Sequence, residues 1–186
     1  MRLFAALDLD GPAREAIVKG QGALRAAVDA ELRWVQPPQL HITLVFLGEV
    51  STSQASAAVA ALTRPISQFP FELTLAGLGA FPPRGAPRAL WIGIRDGLPD
   101  VLALHREISS RLREAGVDPG AGALRPHLTI ARFKRSRPRD RQVIAQHHEF
   151  ERAIGQKIDH VTLYQSELSS GPPRYVELAR ANLTSI

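Results

Sequence analysis

An internal repeat of secondary-structure signals is the feature that most constrains the fold of this chain. The sequence predicts the order strand, helix, strand, helix, strand over residues 1–81 and the same order again over residues 89–167. The second strand follows the first at 38 residues in one copy and at 37 in the other. We therefore expect an α+β fold with two lobes related by a pseudo-two-fold axis, each with a largely antiparallel sheet and outer helices, and a cleft between them.

The predicted elements follow from alternating and helical apolar spacing. Strands are predicted at 3–9, 40–47, 71–81, 89–94, 126–133 and 157–166, and a last strand at 174–183 is expected to complete the sheet. Helices are predicted from Pro12 to Ala30, after the Ser51 and Gln54 capping box, and over 98–115, and a short polar segment through His147 can form a fourth. The segment 82–88 is predicted to link the two copies.

Composition supports one packed unit and excludes several chemistries. The chain has 186 residues, of which 45% are hydrophobic and 22% charged, so a single two-lobed domain over 1–186 is expected. It has no cysteine, which excludes a disulfide framework, a thiolate nucleophile and a cysteine zinc site. Asp8 and Asp10 interrupt the apolar amino terminus, which fits neither a signal peptide nor a membrane span. We expect a cytoplasmic protein, and a monomer.

The charge balance suggests an anionic partner. Lysine and arginine number 23 against 18 acidic residues, a net charge of +5, and 20 of the 23 are arginine. The planar arginine fork matches phosphate oxygens, which favours nucleic acid or nucleotides. The alternative is that the arginines reflect base composition and solubility. The densest basic cluster, 132–141, is interpreted mainly as a solvated loop.

One short motif occurs twice, at matching places in the repeat. It reads HITL at 41–44 and HLTI at 127–130. Because side chains alternate across a strand, each histidine shares a face with the threonine two residues on. If the lobes are related by a pseudo-two-fold axis, the two His-x-Thr faces meet across one cleft.

Such a pair of faces suits acid–base chemistry at a phosphate. One neutral imidazole can take a proton from a nucleophile while the other, protonated, gives one to a leaving oxygen. The hydroxyls of Thr43 and Thr129 can donate hydrogen bonds to phosphoryl oxygens. This chemistry requires no metal and no cofactor, so we expect a metal-independent site with His41 and His127 as the catalytic pair.

The sequence resembles the two-histidine phosphoesterase superfamily, and within it the bacterial and archaeal RNA 2',3'-cyclic phosphodiesterases, historically called 2'-5' RNA ligases. The resemblance covers nearly the whole chain. Its matching blocks are FAALDL near the start, RWVQPPQLHITLVFLGEV at 33–50, GLGAFPPRGAPRALWIGI at 77–94, RPHLTIARF at 125–133 and LYQSELSSGPPRYVELA at 163–179.

This resemblance implies hydrolysis of a terminal RNA 2',3'-cyclic phosphate to a 2'-phosphate in a bilobal fold. It implies His41 as proton donor, His127 as proton acceptor, and Thr43 and Thr129 as phosphate ligands; spacing alone is symmetric and does not choose between the histidines. Family members often carry a lysine where this chain has Val45, so Arg132 becomes the candidate cation for the phosphate. A weak reverse 2'-5' ligase activity would use the same groups with their roles exchanged.

Two alternatives stay open. One is a related two-histidine enzyme acting on small 2',5'-linked or cyclic nucleotides, and the other is a non-catalytic RNA-binding module. We expect a bell-shaped pH profile around neutrality for an acid–base pair.

Several other residues are assigned packing roles or left open. Trp34 and Tyr164 are candidates for base stacking. Phe46 alternates with Ile42 and Leu44 on the predicted strand and is therefore expected in the core rather than against a base. Structural or surface roles, rather than ligand or metal binding, are expected for His105, His147, His148 and His160.

Overall fold

The structure, a computed structural model, describes residues 1–28, 30–120, 124–167 and 171–184. Position 29, near the end of the first predicted helix, and positions 168–170, in the last matching block, lie outside these ranges. The described strands are β1 (Arg2–Asp8), β2 (Leu32–Trp34), β3 (His41–Glu49), β4 (Ile66–Ser67), β5 (Phe71–Phe81), β6 (Ala89–Asp96), β7 (Leu128–Phe133), β8 (Ile154–Ile158), β9 (His160–Glu167) and β10 (Arg174–Thr184). The described helices are α1 (Gly11–Ala27), α2 (Thr52–Thr63), α3 (Leu98–Glu114) and α4 (Asp140–Ala145), with a 3-10 turn at Pro37–Gln39.

The α+β fold class is confirmed, and two of the described helices begin at side-chain caps, of which the sequence predicted the second. The Asp10 side chain accepts a hydrogen bond from the Ala13 amide at 2.8 Å at the start of α1. Ser51 and Gln54 form the predicted capping box at the start of α2. The linker 82–88 joins β5 to β6 as predicted.

The structure corrects the sequence predictions in three places. The strand predicted over 157–166 is broken at Asp159, because β8 pairs with β5 whereas β9 pairs with β1, so the chain crosses between distant parts of the sheet at this residue. Helix α1 ends at Ala27, before the predicted Ala30. Strands β2 and β4 were not predicted, because three and two residues are too short to show an alternating pattern.

The sheet runs in the order β4-β10-β9-β1-β3-β7-β6-β5-β8, and β2 pairs with β7. Its two halves meet between β3 and β7. The third strand of each repeat copy lies in the half that contains the other copy's first strand: β5 pairs with β6, and β9 pairs with β1. The two copies of the repeat are therefore interleaved rather than side by side.

The core lies between the sheet and the helices. Helix α1 packs on β8 and α4 on β5, while α2 packs on β9 and β10 and α3 packs on β3. The strand residues between each motif histidine and threonine, Ile42 and Leu128, are fully buried in this core. Within the described residues, no helix is long and apolar enough to cross a bilayer.

Candidate active site

The two His-x-Thr motifs meet at the junction of β3 and β7. Ile42 and Leu128 are register partners of this antiparallel pair, and both point into the core. Extending that register by one residue places His41 opposite Thr129 and Thr43 opposite His127. The four polar side chains lie on the opposite face of the sheet from Ile42 and Leu128, because successive residues of a strand alternate between faces.

This face forms the floor of a cleft of about 510 Å³. The cleft brings together all five residues that the sequence proposed for the site: His41, Thr43, His127, Thr129 and Arg132. Basic and aromatic side chains that were not proposed as ligands complete its walls: Arg2, Phe4, Arg33, Phe46 and Tyr175. A cleft of this size with convergent polar groups is typical of a site for a small ligand or the end of a longer one.

Each imidazole is held by the same backbone contact. His41 Nδ1 donates to the carbonyl oxygen of Gln39 at 2.7 Å, and His127 Nδ1 donates to that of Arg125 at 2.6 Å. Since a carbonyl oxygen can only accept, Nδ1 carries a proton in both rings and Nε2 is the atom free to exchange one. His41 Nε2 lies 3.0 Å from the Thr43 hydroxyl oxygen, which donates to it when the ring is neutral.

Burial lowers the pKa of both imidazoles. Burial is the largest influence on the His41 pKa, and the charges of His127 and Arg132 lower this pKa further. The Gln39 carbonyl and the charge of Asp8 act in the opposite direction and raise it. Burial and the charge of Arg132 lower the pKa of His127, whereas the hydrogen bond to the Arg125 carbonyl raises it. Both rings are therefore mainly neutral at pH 7 without ligand, and an anionic phosphate beside them would favour protonation.

Aromatic side chains hold each ring in place. The His41 ring lies 4.8 Å from Phe4 and contacts Tyr175 edge-on at 5.3 Å, measured between centroids. The His127 ring contacts Phe81 edge-on at 4.9 Å. Such contacts fix the ring planes and exclude water from the sides of the imidazoles.

A β-bulge follows the threonine in both motifs. In the pairing of β1 with β3, Ala6 faces Thr43 and Ala5 faces Val45, so one residue of β3 is extra. In the pairing of β6 with β7, the register likewise skips one residue after Thr129. Each bulge turns two consecutive residues inward and brings the next one, Phe46 or Arg132, to the cleft face.

The bulges explain why Phe46 was wrongly predicted and why Arg132 lines the cleft. Strict alternation assigned Phe46 to the core, but its side chain is 50% exposed and lines the cleft. Val45, at the position for which the resemblance implies a lysine, is buried and supplies no cation. Arg132 occupies the equivalent of Phe46 on β7 and lines the cleft as the sequence proposed.

The remaining candidates separate into cleft and packing roles. Trp34 lines the cleft, whereas the Tyr164 hydroxyl donates to Asp8 at 2.7 Å behind Phe4. His105 donates from Nδ1 to the Leu44 carbonyl at 3.0 Å, a structural contact. His148 is exposed beside Glu151.

Sequence reasoning missed the role of Asp8. Its carboxylate accepts hydrogen bonds from Thr162 at 2.6 Å, from Tyr164 and from His160 at 3.2 Å. The one signal in the sequence is an acidic residue inside a predicted apolar strand, which was interpreted only as an interruption of the apolar terminus. Among the described residues, no group of three or more acidic or histidine side chains is placed to hold a metal ion.

Comparisons with known proteins agree with this geometry. The 2'-5' RNA ligase superfamily matches over residues 16–169. An RNA 2',3'-cyclic phosphodiesterase of Archaeoglobus fulgidus is 31% identical over 179 residues, covering 96% of this chain and 98% of the relative. The crystal structure of TT0787 of Thermus thermophilus matches with a TM-score of 0.79 at 28% identity, covering 100% of this chain and 99% of that one.

Escherichia coli LigT complexed with 3'-AMP matches with a TM-score of 0.74 at 27% identity, covering 99% of this chain and 98% of that one. The expectation of a family of enzymes, rather than of binding modules, is confirmed by these relatives. The chain therefore belongs to the 2'-5' RNA ligase superfamily, the two-histidine phosphoesterases that its paired motifs resemble.

Proposed function

We propose that this protein is an RNA 2',3'-cyclic phosphodiesterase that opens a terminal cyclic phosphate to a 2'-phosphate by acid–base catalysis with His41 and His127. The observation that carries the proposal is the matched pair of imidazoles, each with Nδ1 committed to a backbone carbonyl and Nε2 available in one cleft. A binding module has no need of two such titrating groups. The name of the Archaeoglobus fulgidus relative supports the RNA substrate.

In the proposed step, a water molecule attacks phosphorus in line with the 3' oxygen. His127 Nε2 takes a proton from the water as the new P–O bond forms. The bond between phosphorus and the 3' oxygen breaks, and His41 Nε2 gives its proton to that oxygen. The products are a 2'-phosphomonoester and a 3'-hydroxyl, and both histidines have changed protonation state until solvent restores them.

The threonines and Arg132 hold the non-bridging oxygens in this proposal. When His41 Nε2 is protonated it no longer accepts from the Thr43 hydroxyl, so the Thr43 proton is free for a phosphate oxygen while the Nε2 proton is directed to the 3' oxygen. Thr129 lies opposite His41 across the strand junction and can donate from the other side. Arg132 adds a positive charge where negative charge builds up in the transition state.

The walls of the cleft favour an RNA end over a bare cyclic phosphate. Arg2 lies 5.0 Å above the exposed ring of Phe46, and Arg33 and Trp34 line the same cleft. Aromatic and guanidinium planes of this kind stack on unpaired bases, and arginine also neutralises backbone phosphates. We assign Phe46 and Trp34 to nucleobase contact, and Arg2 and Arg33 to the RNA strand that leads away from the histidines.

The test is hydrolysis of a short RNA ending in a 2',3'-cyclic phosphate by chelator-treated full-length protein, with the product isomer identified. His41→Ala and His127→Ala should each lose turnover by about 10²-fold or more, whereas His148→Ala, an exposed histidine outside the cleft, should keep it. A 3'-phosphate product would overturn the assignment of the leaving oxygen.

If folded wild-type protein does not hydrolyse this RNA, the RNA assignment fails, and 2',5'-linked and small cyclic nucleotides are the next substrates. Activity that disappears with chelator would overturn the metal-independent mechanism. The same assay run with a 5'-hydroxyl RNA measures the proposed weak ligation. A monomeric and cytoplasmic enzyme remains the sequence-based prediction, and the mass in solution tests the first part.

A further inference from the structure

The surroundings of the two motif histidines differ at one backbone position. In the pairing of β1 with β3, Asp8 is the direct partner of His41. Directly opposed residues of an antiparallel pair share a face, with Cβ atoms about 4.5–5.5 Å apart. In the pairing of β6 with β7, Ile92 faces Leu128, so the residue that corresponds to Asp8 is Gly93.

The Asp8 carboxylate is fixed by three donors on β9. They are the Thr162 hydroxyl, the Tyr164 hydroxyl and His160 Nε2. Burial alone would raise the pKa of Asp8, but the hydrogen bonds from His160, Thr162 and Tyr164 outweigh it and the pKa is lowered. A negative charge is therefore present beside His41 over the whole range in which that imidazole titrates.

The same cluster also supports the His41 ring mechanically. The Tyr164 ring stacks on Phe4 at 5.5 Å, and Phe4 in turn packs on His41 at 4.8 Å. Asp8 thus reaches His41 by its charge and, through Tyr164 and Phe4, by packing.

The equivalent place in the other half carries no side chain and is tight for one. A Cβ atom on Gly93 would lie 3.2 Å from the Ala76 carbonyl oxygen of the neighbouring strand β5. The charged group that acts on His127 is instead Arg132, which disfavours a second positive charge.

We propose that Asp8 is a positioning residue that stabilises the protonated form of His41. Asp8 lies opposite His41 on the neighbouring strand, whereas Gly93 lies opposite His127, and this difference makes His41 the proton donor. This inference rests on the acid–base function proposed above. It supplies the physical reason for a choice that the symmetric motif spacing left open. Asp8 does not contact the reacting phosphate in this proposal; it acts through His41.

Other charges modulate this effect and define the controls. His127, just before β7, and Arg132 on β7 face His41 and oppose its protonation. His160 faces Asp8 from β9 and, when protonated, neutralises part of its charge; Arg180 on β10 lies near the same cluster. Removing Asp8 and removing His160 should therefore move the titration of His41 in opposite directions.

The experiment is an NMR titration of the histidine ring protons in full-length wild type, Asp8→Asn and His160→Gln, beside the pH dependence of kcat/KM. In Asp8→Asn, the titration midpoint of His41 should fall by about 0.5–1 pH unit, and the midpoint of His127 should change far less. In His160→Gln, the His41 midpoint should rise. Thr162→Val, which removes a neutral donor to Asp8, should shift it least.

A purely structural role for Asp8 would lower activity without moving the His41 midpoint, and that result would overturn the proposal. So would equal shifts of His41 and His127, or a fall of the His41 midpoint in His160→Gln. If Asp8→Asn does not fold, the rise expected in His160→Gln still tests the idea. Since the titrations need no substrate, failure of this inference is distinguishable from failure to hydrolyse the cyclic phosphate.

Discussion

Strands β3 and β7 have the same backbone pattern but present different side chains to the cleft. Both carry His-x-Thr, both bulge after the threonine, and both then turn one residue into the cleft. On β3 that residue is the aromatic Phe46, and on β7 it is the cation Arg132. The difference teaches that the duplicated scaffold presents the same pair of histidine and threonine side chains twice, while a single position gives one half an aromatic ring and the other a positive charge.

The largest expected effect tests whether the two halves act in one step. His41→Ala and His127→Ala should each lower kcat/KM by about 10²- to 10⁴-fold. Because one proton transfer is of little use without the other, the double variant should lose at most about tenfold more than the worse single variant. Single-turnover rates on the cyclic phosphate RNA measure this, and losses that simply multiply would show that the histidines act independently.

The next effect tests the half that carries the cation. Arg132→Ala should lower kcat by about 10²-fold, because a charge that stabilises the transition state is removed, and Arg132→Lys should restore part of the rate. Arg139→Ala is the matched control, an exposed arginine outside the cleft lining. A change confined to KM would instead assign Arg132 to binding of the RNA strand.

A smaller effect is expected in the half that carries the aromatic residue. Phe46→Ala should raise KM for the RNA roughly tenfold, since base stacking is worth about 1–3 kcal/mol, with a smaller change in kcat. Phe46→Trp should restore KM, and Phe69→Ala, an exposed phenylalanine away from the cleft, should not alter it. Equal KM values for Phe46→Ala and wild type on RNAs of several lengths would remove Phe46 from the proposed interface.

The smallest effect is a displacement between two pH profiles. Burial lowers the pKa of both histidines below 6.5 in the free protein. The His41 imidazolium that kcat/KM requires therefore loses its proton with a midpoint below pH 6.5. As pH rises from 6.5 to 8, kcat/KM should fall. Bound phosphate raises the His41 pKa, so the alkaline limb of kcat should lie at higher pH. Superimposable profiles would contradict this reasoning, as would a kcat/KM that rises over this range.

Local pattern was sufficient to predict most elements and the meeting of the two motif histidines in one cleft. Alternation and capping residues predicted strands such as β5 and the start of α2 at Ser51. The recurrence of His-x-Thr predicted two imidazoles on one face, because a period of two needs no tertiary information.

The remaining features depend on partners distant in sequence. The bulge that exposes Phe46 is set by the pairing of β3 with β1, and the break at Asp159 by pairing with β5 and β1. The role of Asp8 depends on three donors more than 150 residues away along the chain. No local pattern carries such information.

The interleaving of the repeat copies has a consequence for how the molecule can be divided. A break in the 82–88 linker leaves two fragments, each with one motif histidine and each with a strand, β5 or β9, that pairs with the first strand of the other fragment's repeat copy. Neither fragment alone can form the sheet, but the two together can. Within one chain, each repeat copy thus supplies a strand to the half of the sheet that contains the other copy's first strand. A protein split at the linker would regain activity only when the two fragments associate.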